Sequence, residues 1–90
     1  AGLHLAASNS DVSYTGNGDV SVTNASITGL VLNTSGNGAI TVGTSGAPVS
    51  ANFSGGKVLA AVAASGPIAV FLNGGSLASL DSNGVGLELA

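Results

Sequence analysis

Charge is what this sequence has least of. Asp, Glu, Lys and Arg make up 6% of the 90 residues, against about 25% in an average soluble domain. Arginine is absent, Lys57 is the only lysine, His4 the only histidine, and the net charge is −3. Proteins bind nucleic acid largely by neutralising phosphates with many cations, so this chain is expected to have no nucleic-acid partner. There is no cysteine, which removes disulfides, thiolate metal sites and redox pairs. Tyr14, Phe53 and Phe71 are the only aromatics, too few for the two interfacial girdles of a transmembrane barrel. No apolar run approaches the roughly 18 residues of a membrane-spanning helix, so no membrane span is expected.

What remains is small and apolar or small and polar. Hydrophobic residues are 44% of the chain, led by 14 Ala, 10 Val and 10 Leu, beside 15 Gly, 13 Ser and 8 Asn. Disordered chains combine low hydrophobicity with high charge, the reverse of this composition. The length suits one β-rich domain over residues 1–90. Small apolar side chains bury little area each, so a unit of this size is expected to be marginally stable alone. The chain starts at Ala1 and contains no Met, the start that signal-peptide cleavage or excision of a module leaves. A surface of hydroxyls and amides with little charge is expected outside the cell or on its surface.

Apolar residues step by two: Val20/Val22, Leu30/Leu32, Ile40/Val42, Val49/Ala51/Phe53, Ile68/Val70/Leu72 and Val85/Leu87/Leu89. That spacing puts each set on one face of a strand. Asn-Gly at 17–18, 37–38, 73–74 and 83–84, with Ser-Gly at 35–36, 45–46, 54–55 and 65–66, marks the turns between them. Pro48 and Pro67 stand at the start of a run, where a missing N–H costs least. Residues 57–64 (KVLAAVAA) are long enough for two helical turns, but their flanking glycines favour a buried strand.

The strongest internal signal is a repeat. TGNGDVSV at 15–22 and SGNGAITV at 35–42 align at an offset of 20 residues, with echoes at 54–60 and 73–80. A fixed period of this kind predicts an all-β parallel β-solenoid with coils of about 20 residues, four and a half in the chain, in which Val20 stacks on Ile40 and Val22 on Val42. Short strands separated by tight turns are also what a small antiparallel β-sandwich or jelly roll shows, and that is the alternative architecture.

The G-N-G-[DA]-[VI]-x-V phrases at 16–22 and 36–42 resemble the G-S-G-D-[VI] repeats of bacterial head GIN domains, a group of autotransporter-adhesin-like β-solenoids. The resemblance covers residues 15–60. Here Asn replaces the middle Ser, and Ala39 replaces the second Asp. What it implies is a surface-exposed parallel β-solenoid, with no catalytic residues to carry over.

Residues that carry chemistry are scarce. His4 lies in a strand-like run with its neighbours Leu3 and Leu5 facing the other way, and thirteen serines make proximity to one of them uninformative. Asp11 and Asp19 are eight residues apart, but acid–base pairs need a cleft as well as two carboxylates. Asp19 in GNGD is expected to cap a turn, since a calcium site clusters several oxygen ligands. Gly55-Gly56-Lys57 continues into Val58, where a phosphate loop needs Ser or Thr. Sequons at Asn24, Asn33 and Asn52 arise readily in a chain this rich in Asn, Ser and Thr. The six threonines form no Thr-x-Thr pair, which argues against a flat ice-binding ladder. No catalytic residue, cofactor or metal ligand is assigned, and the chain reads as no enzyme.

Its ends are another matter. LHLAA at 3–7 and VGLELA at 85–90 alternate apolar residues with only His4 and Glu88 as polar gatekeepers. Unprotected strand edges invite pairing with another chain. Leu3, His4, Leu5, Val85, Leu87 and Leu89 are therefore the expected self-assembly edges. The function read from the sequence is an extracellular structural protein that polymerises with itself into a filament, surface coat or adhesive fibre. The alternative is a monomeric adhesin module recognising protein or surface glycans through its polar face.

Overall fold

The computed structural model describes residues 1–81 and 85–90, so the expected turn at Asn83-Gly84 lies outside the described residues. Nine strands and no helix are found among them: β1 Leu3–Ala7, β2 Val12–Tyr14, β3 Leu30–Thr34, β4 Ile40–Val42, β5 Asn52–Gly55, β6 Leu59–Ala63, β7 Ile68–Val70, β8 Ser76–Ser79 and β9 Leu87–Leu89. They form three sheets, with orders β1-β3-β6-β9 (sheet A), β2-β4-β7 (sheet B) and β5-β8 (sheet C). Every described ladder is parallel. The chain is therefore a parallel β-solenoid of about three three-sided turns, and the antiparallel sandwich is ruled out. The stretch at 57–64 contains β6 and no helix.

The coil is longer than the 20-residue repeat predicts. Leu3 pairs with Leu30, Leu30 with Leu59 and Leu59 with Leu87, steps of 27, 29 and 28 residues. On sheet B, Val12 pairs with Ile40 and Ile40 with Ile68, a step of 28 each time. The expected Val20–Ile40 and Val22–Val42 stacks do not form. Val20 bridges Phe53 on sheet C, and Ile40 lies between Val12 and Ile68 on sheet B.

The reason lies in the corners. In the first coil, Asn9-Ser10-Asp11 precedes Val12 of β2, and Asn17-Gly18-Asp19 precedes Val20. At both corners the aspartate reaches the next coil. Asp11 Oδ1 accepts the Ala39 N–H (2.9 Å) and Asp19 Oδ1 accepts the Asn52 N–H (2.8 Å). Asn17 Oδ1 accepts the Ser50 N–H (3.0 Å) in the same way. The G-N-G phrase is thus a corner element, and the A-to-B and B-to-C corners share its chemistry. The offset of 20 separates the sheet B-to-C corner of the first coil from the sheet A-to-B corner of the second.

Asp19→Ala leaves the Asn52 amide without this charged acceptor. Bonds to charged groups contribute about 1.5–3 kcal/mol when buried and less where water competes, so the expected cost here is about 1 kcal/mol. Asp11→Ala should cost the same, and the double variant the sum, because the two corners share no partner. Urea titration with an unchanged m-value checks both.

The core runs up the coil axis. Leu30, Leu32, Ile40, Val42, Val49, Phe53, Val58 and Leu59 are buried, and Phe53 is the largest of them. Thr34 is the one buried polar residue among those described, and its hydroxyl donates to the Ser10 carbonyl of the coil below. Gly55 and Gly56 sit at the C-to-A corner, where a Cβ at Gly56 meets the Ala25 backbone of the first coil. Close coil stacking, not phosphate binding, accounts for that glycine pair.

Candidate functional site

Four strands at about 4.8 Å spacing span about 14 Å between outermost backbones, which matches the shortest of the molecule's dimensions, 34 × 27 × 17 Å. The solenoid is wider than it is tall. Its two open ends are its two broadest faces.

The first face carries β1, β2 and Val20. Leu3, Leu5, Ala7, Tyr14 and Val20 are half-buried against the core. Tyr14 covers part of this end. Its ring meets Phe53 edge-on (centroids 5.9 Å apart, planes at 67°), and its hydroxyl donates to the Gly18 carbonyl at 2.5 Å. An edge-to-face pair of this kind adds about 0.5–1.5 kcal/mol to the area it buries.

The opposite face has no such cover. Of the nine exposed large hydrophobics among the described residues, seven belong to the last layer of the stack: Phe71, Leu72, Leu77, Leu80, Val85, Leu87 and Leu89. Leu89 is 49% exposed, whereas Leu32, on the same side of sheet A, is fully buried. An apolar recess of about 210 Å³ opens beside Phe53, Leu72 and Leu77. A second recess, of about 320 Å³ and lined by Lys57, Asp81, Ser26 and Thr28 among others, flanks the C-to-A corner. At that corner Lys57 Nζ donates to Glu88 Oε1 and Oε2, both at 3.1 Å. Both side chains are more than one-third exposed, so this ion pair contributes at most about 1 kcal/mol.

The residues expected at the assembly edges fall at the two ends of one sheet. Leu3, His4 and Leu5 lie in β1, the first edge of sheet A, and Leu87 and Leu89 in β9, its other edge. Val85 stands two residues before β9, and its carbonyl accepts the Val58 N–H at 2.9 Å. His4 is exposed and makes no side-chain hydrogen bond among the described residues. Sequence reasoning missed Leu72 and Leu77 as members of the open face. Their apolar spacing is the same as in buried strands, and only the coil order shows that no layer follows them.

The remaining candidates have structural roles. Asp11 and Asp19 are held to the second coil by the bonds above. Asn52 donates through Nδ2 to Asp19 Oδ2 (3.5 Å) and accepts from Ser76 Oγ (3.1 Å), completing a ladder through all three coils. Asn24 Oδ1 accepts both the N–H and the hydroxyl of Ser26 in an exposed turn. No group of three or more His, Cys, Asp or Glu placed to hold a metal exists among the described residues. Comparison with protein-family models, with curated proteins and with solved structures finds no match.

Proposed function

We propose that this chain is a structural subunit that assembles with itself through the open ends of its solenoid, forming a filament, surface coat or adhesive fibre outside the cell or on its surface. One observation carries the reading: the last layer of the stack holds seven of the nine exposed large hydrophobics among the described residues, with Leu72, Leu77, Leu87 and Leu89 on the inner side of strands whose far edges have no further layer. Solenoid repeats stack only on neighbours, and ends left without a polar cap seek another layer. The scarcity of charge acts in the same direction, since a net charge of only −3 repels a second copy weakly.

The resemblance of residues 15–60 to head GIN repeats supports a surface-exposed setting. The phrases that carry it form corners here, so it speaks to coil architecture and leaves the end faces to the geometry. The reading assigns no catalytic residue, cofactor or metal.

A glycan- or protein-binding adhesin module is the second reading, resting on the polar corners. Against it, Asn9, Asn17, Asn37 and Asn52 all have side-chain atoms engaged in bonds between coils. A sugar would have to compete for those atoms.

Sedimentation velocity at low and high protein concentration, in dilute and in molar salt, separates the two. Assembly through apolar faces predicts larger species at high concentration that persist in molar salt, because salt screens charge and not apolar contact. A monomer under all four conditions sinks the assembly reading and makes a glycan screen the next step.

A further inference from the structure

The assembly reading leaves open which face meets which. Sheet A answers it through its columns. On its inner side Leu3, Leu30, Leu59 and Leu87 form one column, and Leu5, Leu32, Ala61 and Leu89 the next. On its outer side one column reads His4, Val31, Ala60 and Glu88. The chain's only histidine and one of its four carboxylates thus occupy the same register position at opposite edges of one sheet.

We propose that the two ends are complementary to each other. The β1 edge of a second copy adds in parallel to the β9 edge of the first, in the register that the sheet already uses, and His4 of the second copy comes to lie beside Glu88 of the first. The inference rests on the assembly reading and specifies its geometry.

Two observations favour this arrangement over face-to-like-face pairing. First, the apolar columns continue unbroken, with Leu87 meeting Leu3 and Leu89 meeting Leu5 of the second copy. A slip of one residue would turn both leucines outward. Second, the polar gatekeepers match. An imidazole N–H lies opposite a carboxylate that already accepts from Lys57 and retains lone pairs for a second donor. Joining two β9 ends would bring Glu88 towards Glu88, and like charges opposite each other in a sheet are unfavourable.

The joint has a step in it. Sheet A has a strand of the fourth coil at this end, and sheets B and C do not. The second copy therefore stands one strand clear of β7 and β8, over the recess beside Phe53, Leu72 and Leu77. This makes the junction reversible and concentration-dependent. Because the contact joins unlike faces, it repeats without closing and yields linear stacks.

The absence of native cysteine permits a direct test. Residues opposite each other on neighbouring strands lie about 4.8 Å apart, within the Cα range of a disulfide. His4→Cys and Glu88→Cys proteins are prepared separately, mixed, oxidised and run without reductant. Both positions lie on the outer side of the sheet, and circular dichroism establishes that each variant folds. The proposal predicts a covalent dimer in the mixture at roughly ten times its level in either variant alone. The pair Ala6→Cys with Glu88→Cys is two residues out of register, beyond about 7 Å, and should stay near background. Disulfides confined to His4→Cys alone or Glu88→Cys alone mean like-end pairing and overturn the proposal. Oligomers in sedimentation without the mixed disulfide also overturn it, while leaving assembly itself intact. A monomer in sedimentation with no disulfide removes the assembly reading together with the proposal.

Discussion

Phe53→Ala is expected to bring the protein to the edge of unfolding at room temperature. Phe53 is the largest fully buried side chain, pairs in register with Leu77 on one side, and bridges Val20 on the other. Truncating a buried Phe to Ala costs about 3–5 kcal/mol, through lost transfer energy and the cavity left behind. A domain of this length has about 5–13 kcal/mol in total, and a core built largely of Val, Leu and Ala belongs near the lower limit. The loss also removes the ring against which Tyr14 packs edge-on, 5.9 Å away, so one substitution loosens both the core and the cover of the first face. Phe53→Leu keeps most of the volume and should cost less than about 1.5 kcal/mol. Circular dichroism through a urea titration distinguishes them. A Phe53→Ala midpoint equal to the parent's means that sheet C is not packed as described.

Gly43→Ala is expected to be strongly destabilising for the addition of a single methyl group. Gly43 follows β4 with a φ of +68°, a left-handed conformation that costs residues bearing a Cβ about 1–2 kcal/mol. It is also buried between coils. An added Cβ would lie 2.7 Å from the Phe71 carbonyl oxygen and 2.9 Å from the Val49 nitrogen, both backbone atoms. Its own N–H donates to the Tyr14 carbonyl at 2.8 Å, so the corner cannot shift without breaking a bond to the first coil. Overpacking of this kind adds about 1–3 kcal/mol, for a total of about 2–5 kcal/mol. Gly46, in an open part of the same corner with nothing near its Cβ position, is the control. Gly46→Ala should leave the melting temperature within about 2 °C, while Gly43→Ala lowers it by 10 °C or more.

Strands were easy to read from this sequence, and coil length was not. Period-two runs such as Leu30/Leu32, Ile40/Val42 and Ile68/Val70 mark real strands with those residues inward, because alternation reports directly which side of a sheet is wet. The coil length was obscured by the conspicuous G-N-G phrases. A three-sided coil has three corners that each need left-handed or tightly turned backbone and an acceptor for the next coil's N–H. Similar phrases therefore recur at corners that are not equivalent. The true period was carried by a quieter match, Leu3/Leu5 with Leu30/Leu32 and Leu87/Leu89 at 27 to 29 residues per step. Its third member, Leu59/Ala61, is less conspicuous because alanine fills the inward position.

The two edges of sheet A were legible because edges depend on local pattern. LHLAA and VGLELA read as strands with few gatekeepers, and the fold puts them at opposite limits of sheet A. The open face as a whole was not legible. Leu72 and Leu77 have the same period-two context as buried residues, and their exposure follows from coil order, a property of the stack and not of any local segment. Thr34 was missed for a related reason. Its hydroxyl is buried by reaching a carbonyl 24 positions earlier, a distance that means nothing until the coil length is known.

Small-angle X-ray scattering over a wide concentration range tests the central claim most directly. Copies that stack through their broad faces lengthen the particle along the 17 Å dimension while the 34 × 27 Å cross-section stays fixed. Stacking predicts a radius of gyration that rises steadily with concentration, and a cross-sectional radius that does not. A radius of gyration that stays near that of one molecule, 12.3 Å for its Cα atoms, at every concentration would show that the exposed leucines of the open face do not recruit a second copy.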